Sequence, residues 1–336
     1  MPNWLITGGC GFIGSNLIQR LQEEESNSAI RVVDDLSGGG RSDLSRVAPE
    51  FRETDPQDIE SISDLGVELV PADIRDGNLA KEVCAGADYI VHLAAVSSVP
   101  KSVEDPMTDC TTNVIGTLNY LEAARAHGIK RFVFASSVAP IGDAEPPIHE
   151  NMPANPKAPY GASKLAGEGY CSAYAEAFGV PTVALRFANV YGPLAEEKET
   201  VIPKFVRRAL NGETIEVYGD GKQTRDYVHT DDLVRAIMQS AKLEGSGAEL
   251  FQIATNSETT INDLLDLLLP ILEDKAGLDN VNIVHTDPRT GDIRRNFADT
   301  SRAEERLGWR PQVSLEEGLE STVRSFLKYY SKRSET

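Results

Sequence analysis

The sequence predicts an α/β fold: a doubly wound parallel sheet with a smaller lobe contributed by the second half of the chain. Two observations predict it. Apolar runs of strand type alternate with segments of helical spacing through the first half, the pattern of a parallel sheet with helices on both faces. A glycine-rich turn, Thr7-Gly8-Gly9-Cys10-Gly11-Phe12-Ile13-Gly14, stands between the first such strand and the first such helix. That is where a turn of this kind presents helix N–H groups to a phosphate.

Taken in order, Trp4-Leu5-Ile6 reads as the first strand and Ile13 to Leu21 as the first helix. In the turn between them Gly8 permits the tight bend, Gly11 lets the chain approach a pyrophosphate, and Gly14 lets helix and sheet pack closely. Ile30 to Val33 is a second strand ending in Asp34-Asp35, where an acidic residue binds both hydroxyls of an adenosine ribose. Two carboxylates there repel a 2′-phosphate, so the pattern favours NAD over NADP. A polar stretch from Gly38 to Gly66 holds one short helix, Ser42 to Val47. Val67 to Val70 is a third strand, followed by Asp73-Ile74, which are placed to flank an adenine ring. Tyr89 to Leu93 is a fourth strand leading into Ala94-Ala95, and Met107 to His127 has the spacing of a long helix. Arg131 to Phe134 is a fifth, ending at Ala135-Ser136-Ser137. Ligands of such sheets bind at the carboxyl ends of the strands. Gly14, Asp34, Asp73, Ala94-Ala95 and Ser137 all follow strand ends, so they converge on one cleft.

In Tyr160-Gly161-Ala162-Ser163-Lys164 a helix from Pro159 to about Phe178 stacks Tyr160 and Lys164 on one face. A free tyrosine has a pKa of about 10 and is a poor base at neutral pH unless a cation stabilises its phenolate. Lys164 supplies that cation and can also hydrogen-bond the nicotinamide ribose. Ser137 completes a set that removes a proton from an alcohol as hydride leaves its carbon. By itself such a pair is more often a packed aromatic beside a solvated amine; the glycine-rich turn and Ser137 reverse that reading.

The chain has 336 residues and a formal charge of −19, enough length for one large domain or two fused ones. No apolar run approaches the roughly 20 residues of a membrane span, and the N-terminus lacks the regions of a signal peptide. The expectation is a cytoplasmic protein with no membrane partner. The acidity argues against a nucleic-acid partner, since that binding relies on Lys and Arg. Cys10, Cys84, Cys110 and Cys171 are scattered, and the five histidines lack ligand spacing, so no metal is expected.

These motifs resemble a known family, the extended short-chain dehydrogenases/reductases with their Rossmann sheet, and within it the NAD-dependent nucleotide-sugar epimerases. The resemblance covers nearly the whole chain. Besides the segments above it rests on Asp73-Ile74-Arg75-Asp76, His92-Leu93-Ala94-Ala95, Asn113-Val114-Ile115-Gly116-Thr117, Arg186 to Pro193, Arg225 to His229 and Pro288 to Arg294, followed by Ala298-Asp299. It implies that Ser137, Tyr160 and Lys164 are the catalytic trio and that Asn113 supports the active-site helix. It further implies that Ser97 and Asn189 contact substrate, and that Arg225 and Arg289, with Asp292 nearby, hold the diphosphate of a nucleotide sugar. Guanidinium forks suit that task because they bind phosphate oxygens bidentately.

The 4,6-dehydratases of this family place a Thr-Asp-Glu acid–base set where this chain has Ser137-Val138-Ala139. Without those carboxylates no group is evident to expel a hydroxyl, whereas a 4-epimerase needs only the alcohol-oxidising set. The loop Ala94 to Ser102 resembles that of epimerases acting on UDP-N-acetylhexosamines. Asn296 falls near a position where a bulky Tyr restricts some UDP-galactose epimerases, so a UDP-hexose 4-epimerase accepting UDP-GlcNAc as well as UDP-glucose is implied. One departure from the family pattern is Pro140-Ile141-Gly142 in place of the usual Val-Tyr-Gly, which removes a hydroxyl and an aromatic face beside the sugar.

Residues 1–186 are expected to form the NAD-binding domain and 187–336 the sugar-binding lobe, with 225–254 returning to the main sheet. In that second half Arg235 to Leu243 reads as a helix after the cap Thr230-Asp231-Asp232, Glu249 to Ile253 as a strand and Thr260-Ile261-Asn262-Asp263 as a helix start. Leu264 to Leu272 is read as core rather than a partner surface, and Leu315 to Tyr329 as a closing helix. Family members usually dimerise through two long helices, here Met107 to His127 and Tyr160 to Phe178, so a homodimer is implied. The alternatives are a UDP-glucuronate epimerase, another nucleotide-sugar epimerase or a reductase that exchanges NAD with solvent, and, outside enzymes, an NAD-sensing binding protein.

Overall fold

The computed structural model describes residues 2–62, 65–288 and 293–333. The chain runs β1 (Asn3–Thr7), α1 (Phe12–Glu24), β2 (Ala29–Asp34), α2 (Arg41–Val47), β3 (Arg52–Glu53), β4 (Gly66–Pro71), α3 (Gly77–Val83) and β5 (Tyr89–His92). It continues through α4 (Val99–Glu104), α5 (Pro106–Cys110), a π-helical turn (Thr111–Ile115), α6 (Gly116–His127), β6 (Arg131–Ser137), α7 (Pro159–Phe178) and β7 (Thr182–Phe187). Then follow β8 (Asn189–Tyr191), α8 (Val201–Leu210), β9 (Ile215–Tyr218), β10 (Thr224–Arg225), β11 (Tyr227–His229), α9 (Thr230–Ala241) and β12 (Ala248–Ile253). The rest is β13 (Thr259–Thr260), α10 (Ile261–Ala276), β14 (Ile283–Thr286), a second π-helical turn (Ala303–Leu307) and α11 (Leu315–Arg333).

Eight strands form one parallel sheet in the order β12-β7-β6-β5-β1-β2-β4-β3, the doubly wound architecture the sequence predicts. Strand alternation sends successive side chains to opposite faces. Trp4, Ile6, Val133 and Ala135 therefore pack with Leu17, Ile18 and Leu21 of α1 and with Leu233, Val234 and Ile237 of α9. Leu5, Phe132 and Phe134 pack on the other face, with Val83 of α3, Tyr120 and Leu121 of α6, and Cys171 and Tyr174 of α7. A third core belongs to the lobe, where α8, α10 and α11 bury Phe205, Leu264, Leu268, Leu272, Val323 and Phe326. The apolar run of α10 is thus lobe core, and the helix starts with a capping box in which Thr260 accepts from Asp263 N and Asp263 accepts from Thr260 N.

Several elements differ from their sequence expectation for local reasons. The helix expected at Arg235 begins at Thr230 because the His229 imidazole caps it, accepting from Asp231 N at 3.2 Å. The long helix expected over Met107 to His127 is interrupted by the π-helical turn at Thr111–Ile115, which carries Asn113. No strand was expected at Thr182–Phe187, yet β7 lies fully buried there between β6 and β12. β3 is a two-residue exposed edge, too short to leave a periodic signal.

Helix α7 begins at Pro159 and ends at Gly179, whose φ of +69° closes the helix. Pro suits the first turn because its missing N–H has no partner there, and Gly suits the left-handed end. The helix lies close against β6: a Cβ added to Gly167 would stand 2.3 Å from Phe134 Cζ. Gly167→Ala is therefore expected to destabilise the fold by about 1–3 kcal/mol through overpacking, read as a lower urea midpoint, and to lower turnover by shifting the helix.

Candidate active site

The carboxyl ends of β1, β2, β4, β5, β6 and β7 lie along one edge of the sheet, and the sequence-marked residues of these ends collect there. The glycine-rich turn leaves β1 with Gly8 at φ +72°, its N–H donating to Val33 O at 2.8 Å. A Cβ on Gly8 would lie 2.7 Å from Ala94 N, and one on Gly14 would lie 2.5 Å from Gly8 O. Both positions require glycine. At Gly11 the same test meets only Gly8 O, at 3.3 Å, so that side of the turn is open. Gly11 also caps α1 without any side-chain hydrogen bond, which leaves the first N–H groups of the helix available to an anion. Phe12 and Ile13 open the helix and pack on the lobe and sheet cores. An open glycine, an uncapped helix start and an acidic strand end fit a dinucleotide.

Asp34 is buried and accepts from Cys10 N and Leu36 N, both at 2.9 Å. Burial raises its pKa and these two bonds oppose the rise. Its carboxylate therefore stitches the glycine-rich turn to the end of β2. Asp73 faces outward in an ion pair with Arg75, while Ile74 is buried against Gly116. Ala94 N donates to Thr7 Oγ1 at 3.2 Å, and Ala95 continues toward the exposed Ser97.

His92, the first residue of the His92-Leu93-Ala94-Ala95 motif, sits between Thr7 Oγ1 at 2.9 Å and Thr117 Oγ1 at 3.2 Å. Burial, with the nearby Lys164 charge, lowers its pKa to about 3. It is a neutral brace between the glycine-rich turn and α6.

At the end of β6, strand alternation turns Ser136 inward and Ser137 to the cleft. Ser136 donates to Glu168, which also binds Arg186 in two hydrogen bonds of 2.8 and 2.7 Å. The Ser137 hydroxyl accepts from Ala139 N at 3.2 Å and hydrogen-bonds the Tyr160 phenol. Lys164 is 4 % exposed; its Nζ donates to Ala135 O at 2.8 Å and stands 5.9 Å from the Tyr160 ring centre. Burial lowers its pKa to about 8, opposed by Asp109 and Glu168. Burial also raises the Tyr160 pKa; the Ser137 hydrogen bond opposes this and Asp109 adds to it. With its Nζ directed to the Ala135 carbonyl, Lys164 acts on the phenol through its nearby charge.

Asn113 is buried and holds three segments together. Its side-chain oxygen accepts from Val96 N at 2.8 Å, and its amide nitrogen lies 3.1 Å from Val96 O, 3.0 Å from Asp109 Oδ1 and 3.1 Å from Ser163 Oγ. It joins the Ala94–Ser98 loop to α7 at the residue before Lys164. Asp109 and Ser163 were not singled out from the sequence. The signal was available, since Asp109 lies one helical turn before Asn113 and Ser163 lies between Tyr160 and Lys164.

On the lobe side, Asn189 donates to Asp226 O at 3.1 Å. Arg225 donates to Thr224 O at 2.7 Å and Ile293 O at 2.8 Å. Asn296 is buried beside them, its N–H donating to Thr224 Oγ1 at 3.3 Å. Asp226, fully buried, accepts from Thr255 and Ala298 and ties β11 to both neighbouring segments. Arg289 and Asp292 lie outside the described residues. Ile141, at the departure from the usual loop sequence, turns inward and packs with Ile148, Ala254 and Ala298; it presents no group to the cleft.

A dinucleotide turn and a Ser–Tyr–Lys set on one edge of a doubly wound sheet define an NAD-dependent enzyme that works on an alcohol. Residues 4–254 match the NAD dependent epimerase/dehydratase family, and the chain belongs to it. It is 36% identical over 327 residues to the UDP-glucose 4-epimerase of Mycolicibacterium smegmatis, across 96% of this chain and 97% of that one. The solved UDP-glucose 4-epimerase of Thermotoga maritima with UDP-glucose is similar at TM-score 0.84 and 36% identity, covering 98% and 99% of the two chains. The UDP-N-acetylglucosamine 4-epimerase of Methanobrevibacter ruminantium in complex with UDP-N-acetylmuramic acid is similar at TM-score 0.86 and 30% identity, again over 98% and 99%. The dTDP-glucose 4,6-dehydratase of Streptomyces griseus is 32% identical over 333 residues, 97% of this chain and 94% of that one.

Tyr160→Phe is expected to lower kcat at least about 100-fold, the scale of a lost general base, with bound NAD unchanged by release assay. Asp109→Asn removes a negative charge that favours the protonated phenol. The acidic limb of the kcat–pH profile is therefore expected to move to lower pH, which a pH series on the two proteins measures.

Proposed function

We propose that this enzyme is a UDP-hexose 4-epimerase that interconverts gluco- and galacto-configured sugars, acting on UDP-GlcNAc and UDP-glucose through a 4-keto intermediate. The observation that carries the reading is an alcohol-oxidising set, Ser137, Tyr160 and Lys164, with Val138 and Ala139 beside it. A dehydratase needs carboxylates at those two positions to expel a hydroxyl, and neither side chain can do so. The M. smegmatis, T. maritima and M. ruminantium epimerases support the same choice by similarity.

In this reading Tyr160 takes the proton from the sugar 4-hydroxyl while Ser137 hydrogen-bonds the same oxygen. NAD, when bound, supplies the hydride acceptor and donor. Gly8, Gly11, Phe12, Ile13 and Gly14 with Asp34, Asp73, Ile74, Ala94 and Ala95 line its place, and Asn113 and Lys164 hold the catalytic side. Lys164, with a pKa of about 8, carries its charge at neutral pH and so favours the phenolate that accepts the proton. After the keto sugar turns over, Tyr160 returns the proton to the other configuration. Ser97, Asn189, Arg225 and Asn296, with Arg289 and Asp292, are assigned to the nucleotide sugar.

A homodimer is part of the proposal. Val103, Met107, Ile115, Tyr170 and Phe178 are exposed apolar side chains on α4 to α7, on or beside the two helices through which the family usually pairs. A cytoplasmic setting is also proposed: all four cysteines are free thiols and three are buried, as suits a reducing compartment. Among the described residues no helix is long and apolar enough to cross a membrane.

Incubation with UDP-GlcNAc, UDP-glucose and UDP-glucuronate in turn, without added reductant, is expected to yield galacto-configured product from the first two, resolved by proton NMR. Folded, NAD-loaded enzyme that converts neither contradicts the reading, and steady NADH formation favours a dehydrogenase instead. Asn296→Tyr is expected to lower kcat/KM for UDP-GlcNAc relative to UDP-glucose by about tenfold or more, a steric discrimination of ordinary size. Met107→Glu is expected to shift the light-scattering mass from dimer toward monomer.

A further inference from the structure

The segment Pro193–Lys198 lies between the lobe and the glycine-rich turn and is fastened from both sides. Asn16 of α1 donates to Pro193 O at 3.0 Å. Arg46 of α2 grips the buried Glu196 carboxylate through two hydrogen bonds of 3.0 and 2.9 Å, and Ser325 of α11 donates to the same carboxylate. Arg207 of α8 donates to both Glu196 O and Lys198 O. Leu194 takes a left-handed φ of +68° within this strap, a conformation L side chains adopt only when their surroundings enforce it.

The fastening fixes Lys198 in the wall of a cavity of about 100 Å³, lined also by Gly11, Phe12 and Gly39, by Asp43 and Glu197, and by the paired Arg46 and Glu196. That cavity adjoins the uncapped N-terminus of α1. Lys198 makes no ion pair or side-chain hydrogen bond among the described residues. Its charged neighbours are Asp43, Asp34 and, repelling it, Lys101. Burial draws its pKa below that of a free lysine. A half-buried ammonium without a bonded anion, held beside an anion-favouring helix end, is a site prepared for phosphate.

We propose that Lys198 is a cofactor-retaining residue: carried by the Pro193–Lys198 strap, its ammonium binds the diphosphate of the NAD seated on the glycine-rich turn and slows its release. The inference rests on the assignment of that turn to NAD. It goes further in giving the sugar lobe a hold on the cofactor, which a 4-epimerase needs because the hydride removed from one sugar must return to it before the cofactor leaves.

The test compares wild-type, Lys198→Met and Lys198→Arg enzyme. NAD dissociation is followed by displacement with an excess of fluorescent etheno-NAD, and thermal melting verifies folding. Lys198→Met is expected to release NAD about tenfold or more faster, the scale of one charge-assisted contact. Its release should also respond less to salt, and Lys198→Arg should restore slow release. Unchanged release from folded Lys198→Met overturns the proposal. Unchanged release with a raised KM for the UDP-sugar also overturns it and assigns Lys198 to the substrate's diphosphate. Wild-type enzyme that neither carries nor binds NAD shows instead that the assignment of the turn is wrong, and the proposal falls with it.

Discussion

The buried ammonium of Lys164 is the constraint on which the site's architecture depends. An ammonium withdrawn from water is unstable unless hydrogen-bonded and faced by opposite charge. Here the Ala135 carbonyl accepts a hydrogen bond from it, and the carboxylates of Asp109 and Glu168 favour its charged form. Each partner is itself held. Glu168 is locked by Ser136 and Arg186, and Asp109 lies against the Asn113 amide. The π-helical turn, the close approach of Gly167 to Phe134 and the inward face of β6 all serve to hold one lysine behind one tyrosine. The result is a cation of reduced proton affinity next to a phenol, both poised to respond to a ligand that adds or removes charge.

The same logic links the two lobes. Asp226 joins β11 to the end of β12 and the Asn296–Ala298 segment, so these lobe segments share one buried anchor. The chain crosses between lobes repeatedly: β12, α9 and Trp309 return to the main sheet and its cores. The lobe is therefore built onto the sheet's edge rather than tethered beside it, and groups from both sides can face one cleft without a long linker. Arg46 and Glu196 continue that contact next to the glycine-rich turn.

Much of this was legible in the sequence where a residue's backbone role is unusual. Gly8 and Gly14 were readable because no other residue fits their contacts, and α7 because Pro159 and Gly179 mark its ends. Tyr160 and Lys164 were readable because helical spacing brings them to one face. The parts that escaped depend on tertiary partners. The start of α9 is set by the side chain of His229, and β7 lies buried between two strands that are distant in sequence. The long helix is interrupted where Asn113 reaches both the Ala94–Ser98 loop and Ser163. Helical spacing gives the proximity of Lys164 to Tyr160 but not the direction of its ammonium, which the Ala135 carbonyl determines.

In the proposed 4-epimerisation one hydride leaves and returns to the same sugar carbon within a single cofactor residence. This is tested most directly with UDP-glucose carrying deuterium at C4. The expected product is UDP-galactose with the deuterium retained at C4 and no NADH accumulating. Product that has lost the label to solvent, or label appearing in free NADH, would contradict it.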